Sequence, residues 1–139
     1  MIKTFRGKLA NGDIQKIRLS TNNGLTGYRI TKLEVINSNP AGSGGESVLQ
    51  VFSEKPTAAS GIINFDNPLL LACAFHENNS SQTVYGGTNI IFDNKIINQD
   101  IYVTLSTDDD LNYYLELDQV KLSKDEATVA TLKDMRGRE

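Results

Sequence analysis

Glu116 and Asp118 stand two apart in the run Tyr113-Tyr114-Leu115-Glu116-Leu117-Asp118, which puts both carboxyls on one face of a strand. A carboxylate pair is the machinery of a glycoside hydrolase, one member giving a proton and the other attacking or activating water. The same alternation makes that face the polar one, where carboxylates belong without any catalytic task. Asp108-Asp109-Asp110 offers oxygens to Ca²⁺, but no glycine or glutamate follows at the offsets of an EF-hand loop. A solvated acidic turn between two strands is the better account. His76 is the single histidine, which excludes a His-rich metal site, and no Ser/His or Cys/His couple lies nearby. Followed by Glu77, it reads as a residue at a strand's end. Cys73 is the single cysteine, so no internal disulfide can form. It sits in the apolar run Leu69–Phe75 with no adjacent cation to activate the thiol, and reads as a small core residue. Gly42-Ser43-Gly44-Gly45 lacks the Lys-Ser/Thr and the helix of a phosphate loop. Asn78-Asn79-Ser80-Ser81 contains the glycosylation triplet twice, in a polar loop. No motif supports catalysis, and neither cofactor nor metal is expected.

The elements that would position these residues are strands. Tyr28, Ile30, Leu33 and Val35 alternate with polar residues, with a one-residue slip that predicts a β-bulge near Thr31-Lys32. Ser47–Phe52, Ser60–Phe65, Thr88–Phe92 and Ile101–Leu105 are further runs. Leu69–Phe75 is apolar on both faces and reads as a central, covered strand. Tyr113, Leu115 and Leu117 share a face, and Val120 and Leu122 follow after a second slip. Adjacent tyrosines point to opposite faces, so one of Tyr113 and Tyr114 packs inside and the other is exposed or interfacial. Asn11-Gly12 and Asn23-Gly24 carry the chemistry of type I′ hairpin turns. Short strands separated by turns predict an all-β antiparallel sandwich over residues 1–122, jelly-roll or Greek-key-like, with eight or nine strands.

The pattern changes at Ser123-Lys124-Asp125-Glu126, a capping box. Good helix formers follow, with acids first and bases last, which suits the helix dipole. Residues 123–139 are therefore expected to form a tail with a short helix from about Lys124 to Arg136, lying outside the sandwich and docked on it or on a neighbour. The β-branched Thr128, Val129 and Thr131 leave an extended arm as the alternative. A chain of 139 residues is one domain, long enough to bury its own core. A net charge of −3 argues against nonspecific nucleic-acid binding. The opening Met1–Lys8 has no apolar stretch of a secretory signal, and the longest apolar run is far too short for a bilayer, so no membrane partner is expected.

Three strings, Asn98-Gln99-Asp100-Ile101-Tyr102-Val103-Thr104, Asn112-Tyr113-Tyr114-Leu115-Glu116-Leu117 and Ala127-Thr128-Val129-Ala130-Thr131-Leu132-Lys133-Asp134, join two near the start. Those are Thr4-Phe5-Arg6-Gly7-Lys8-Leu9 and Ser20–Gly24 with Gly27-Tyr28-Arg29-Ile30. Together they resemble small virion structural proteins of tailed bacteriophages, especially those of marine bacteria. The resemblance implies a non-enzymatic virion component, with the major capsid protein or other virion proteins as partners. A compact sandwich with an appended tail and no fibrous repeat suits a capsid decoration (cement) protein, commonly a trimer. A neck or tail component and a carbohydrate-binding sandwich are the alternatives. The candidate subunit contacts are Val129, Leu132 and Met135 in the tail, Phe5 in the strand Met1–Leu9, which would add to a neighbour's sheet, and Tyr114.

Overall fold

The computed structural model describes residues 1–40, 42, 45–79, 84–93 and 95–137, without the side chains of 78, 79, 84–86 and 133–137. In chain order the strands are β1 (Ile2–Leu9), β2 (Ile14–Ile17), β3 (Thr26–Asn37), β4 (Gly45–Phe52), β5 (Leu70–Asn79), β6 (Val84–Ile91), β7 (Ile96–Ile97), β8 (Ile101–Thr107) and β9 (Leu111–Lys121). The helix α1 (Lys124–Gly137) follows. One sheet has the order β1-β9-β3-β7 and the other β2-β8-β4-β5-β6. Every pairing is antiparallel, and four of them nest: β1 with β9, β2 with β8, β3 with β7, β4 with β5. The chain is thus one long hairpin rolled into two layers, the jelly-roll arrangement, with β6 added at the edge beside β5.

The core follows from alternation. On β9, Leu111, Tyr113, Leu115 and Leu117 are buried, while the intervening residues face outward. They meet Leu49, Val51, Ile101, Val103 and Leu105 of the other sheet, all fully buried. Each such side chain contributes about 1.5–3 kcal/mol. The register of β3 on β9 shifts between Ile30 and Lys32, so the predicted bulge is present, and the Thr31 hydroxyl donates to the Glu116 carbonyl.

Several expectations need correction. β9 carries no second slip: its register with β3 is unbroken from Leu117 to Lys121. Leu122 is buried because it lies in a different environment, beside Ile96 and α1. Asn11-Gly12 and Asn23-Gly24 do place glycine at positive φ, +86° and +67°. Each joins strands of opposite sheets, so they are corners rather than hairpins. Ser60–Phe65 is not a strand. Its carbonyls are satisfied by a buried side chain instead, since the Gln50 amide donates to Ser60 O at 3.0 Å and Ile62 O at 3.2 Å. Leu70–Ala74 is buried throughout, as its apolar run requires. The strand Ile2–Leu9 pairs with β9 of its own chain, and no strand covers its other edge among the described residues.

Candidate interaction surface

The C-terminal helix is the most distinct surface feature. Its start is set by the capping box: the Glu126 amide donates to the Ser123 hydroxyl, and the Ser123 amide donates back to the Glu126 carboxylate, both at 3.2 Å. Asp125 and Glu126 occupy the first turn, where the helix dipole favours them. The face turned to the sandwich carries small residues. Ala127 and Ala130 are buried there, three apart. Asn98, between β7 and β8, fastens this face. It is 0% exposed, and its amide nitrogen donates to Ala127 O at 3.2 Å, Thr131 Oγ1 at 2.9 Å and Gly24 O at 3.2 Å.

The larger apolar residues of the helix are left outside. Val129 is 51% exposed and Leu132 50%. Val129 lines a cleft of about 580 Å³ with Ile96, Leu122 and Ala130, and Asp93, Lys95, Asp125 and Glu126 surround it. Leu132 lines a second cleft, of about 440 Å³, on the other flank with Leu25 and Ala127. The Met135 side chain lies outside the described residues.

Tyr114 is half-buried on the outer face of the first sheet, between Arg6 of β1 and Glu34 of β3 in register. With Asn112, Ile36 and Lys8 they line a shallow cleft of about 470 Å³. Tyr113 points the other way and is the packed member of the pair. Its hydroxyl donates to Gln15 Oε1 at 2.7 Å, and burial raises its pKa. Phe5 is partly buried and packs against the core, opposite Leu115 in register.

The structure gives the other singled-out residues structural surroundings. Glu116 lies between Thr4 and Lys32 in register, and Asp118 between Ile2 and Arg29, a mixed-charge ladder. The acidic run joins β8 to β9. The Asp108 carboxylate accepts from the Glu46 amide at 3.1 Å, and Asp109 N donates to Thr107 Oγ1 at 3.1 Å. Among the described residues no group of three His, Cys, Asp or Glu is placed to hold a metal ion. His76 sits within β5 rather than at its end. Cys73 is buried, which raises its thiol pKa. The Ser80-Ser81 part of the glycosylation triplets lies outside the described residues, as do Ser43 and Gly44.

Sequence reasoning missed Asn98 and Asp100. Burial alone would raise the Asp100 pKa. The amides of Ser20 and Leu19, the Ser20 hydroxyl and Lys16 outweigh it and hold the carboxyl at about 2. Both residues act over separations that no local pattern encodes. Among the described residues no helix is long and apolar enough to cross a membrane. Compared with protein-family models, curated proteins and solved structures, the chain matches none.

Proposed function

We propose that this chain is a non-enzymatic structural subunit that works by packing against other proteins. One observation carries the reading: α1 docks through alanines and Asn98 while Val129 and Leu132 stay half-exposed beside two clefts. A helix that used its full apolar complement on its own sandwich would turn the larger residues inward. The finer assignment, a capsid decoration protein in the virion of a tailed bacteriophage, rests on the sequence resemblance. Its partners are then the major capsid protein and further copies of itself, with a trimer favoured. A neck or tail component is the variant of this reading that differs in symmetry.

The test is a pair of exposed substitutions, Val129→Asp and Leu132→Asp. Each is expected to change stability by less than about 0.5 kcal/mol, as surface changes do. Together they should abolish incorporation into phage particles assembled with the other virion proteins. Incorporation at the normal level with a folded variant would sink the proposal. Light scattering over a concentration series gives the order of any homo-oligomer, three pointing to the shell and other orders to neck or tail.

A carbohydrate-binding module is the second reading, favoured by the half-exposed Tyr114 ring beside Asn112, Glu34 and Arg6 in one cleft. An aromatic face with flanking amide and charged groups is suited to a sugar ring. A glycan array without hits at high protein concentration would remove it.

A further inference from the structure

The cleft beside α1 has the form of a site for a long cationic side chain. Ile96, Leu122, Val129 and Ala130 supply apolar lining, and Asp93, Asp125 and Glu126 stand around it against a single cation, Lys95. Arg and Lys lay their methylene stems on apolar surface while the charged head stays at a polar margin. Such a surface has a counterpart on the same chain. Strand β1 carries Lys3, Arg6 and Lys8 and no acid, although the whole chain has net charge −3. All three are exposed, and none has a carboxylate within ion-pair distance among the described residues. Arg6 and Lys8 are two apart on one face of the strand, so their backbones are about 7 Å apart. They also lie on a strand whose outer edge is paired with no other strand among the described residues.

We infer that the cleft between α1 and β7 receives Arg6 and Lys8 from strand β1 of a second copy of this chain. The inference rests on the reading of the chain as an assembly subunit and names the contact it would use. The two surfaces are different patches of one molecule. Their union is head-to-tail, and it builds a ring if the rotation closes. Each copy offers one cleft and one basic strand, so a closed ring leaves neither unpaired. Val129 is covered in the same contact.

Charge reversal on the full-length chain tests this, with sedimentation velocity as the readout. One variant is Arg6→Glu with Lys8→Glu. Another is Asp125→Lys, chosen because Glu126 is needed for the cap. The third combines all three changes. The wild type should self-associate, and each reversal should weaken association at least about tenfold. The combined variant takes the cleft from two net negative charges to none against the two glutamates, so it should associate at least about tenfold more strongly than Arg6→Glu with Lys8→Glu alone. Circular dichroism on each variant establishes that it is folded, and Arg6→Gln with Lys8→Gln replaces the first variant if it is not. An oligomer indifferent to both reversals overturns this contact and leaves the assembly reading standing. A wild type that is monomeric at all concentrations overturns it also, and incorporation into particles then decides the assembly reading separately.

Discussion

Asn98 and Asp100 sit two residues apart and hold down different parts of the molecule. Asn98 uses its amide nitrogen on α1 and on Gly24, and its Oδ1 is buried without a partner. Asn98→Ala removes the donor that ties Gly24 O and Thr131 Oγ1 together, while Ala127 O keeps the Thr131 hydroxyl, and the loss costs about 1–3 kcal/mol. The loss should fall first on the helix: the 222 nm signal weakens, and hydrogen exchange in residues 124–132 accelerates more than in β9. Unchanged exchange there would mean that the alanines alone hold the helix. Asp100 ties the segment after β2 to the start of β8. Its folded pKa, about 2, is below the ordinary 3.8, so the folded state holds the proton less tightly than the unfolded one. The stabilisation is therefore complete above about pH 4 and is lost as pH falls towards about 2. Asp100→Asn should cost about 1–2 kcal/mol at pH 7 and flatten the acid limb between those values, as followed by urea melts at several pH values. Neither residue announces itself in the sequence, because a buried amide and a capped carboxylate look like any loop Asn or Asp until distant backbone arrives.

Elements were far more legible, and the reason is periodicity. Two-residue alternation placed β3, β4, β8 and β9, and the phase break on β3 located a bulge that the register confirms at Thr31. The capping box fixed where α1 begins, and both of its hydrogen bonds are present. Ser123→Ala should cost about 1 kcal/mol and shorten the helix from its N-terminal end, measurable as a lower melting temperature with reduced helical signal. No change in either would show that docking, and not the cap, sets the helix start. Periodicity failed where a different force supplied the burial. Ile62 and Ile63 resemble strand residues, yet Gln50 takes up the carbonyls that a neighbouring strand would have used. Asn-Gly signals positive φ correctly but is silent on which strand comes next, so two corners between sheets looked like hairpins. The surface residues show the same limit: alternation put Tyr113 and Tyr114 on opposite faces, and the structure buries Tyr113 and leaves Tyr114 half-buried on the outer face.

At the scale of the whole molecule the nested pairing matters most. Ile2 lies opposite Asp118, so the first strand finds its place only against nearly the last. The middle of the chain, β4 with β5, has the nearest partner in sequence of the four nested pairs. Contacts of such large separation fold slowly, and refolding in milliseconds to seconds is expected by stopped-flow fluorescence of the tyrosines. Relaxation in microseconds would contradict the slow folding expected of a topology whose first strand pairs with its last. The charge distribution belongs to this scale too. The roll brings a basic first strand to a sheet edge and leaves acids around the helix, two poles that no short window of sequence relates.

The loop between β4 and β5 has one more consequence. Ile63 and Phe65 share a cavity with Cys73 and Phe75 on the outer side of the second sheet, and Phe65 meets Phe92 edge-on at 5.0 Å. The only sulfhydryl of the chain thus lies on the face that this loop helps to line. At reagent concentrations high enough for reaction to outpace reclosing, a thiol-reactive dye will modify it at the rate of local opening. Labelling kinetics then time the opening of one strand's outer cover, with no engineered probe.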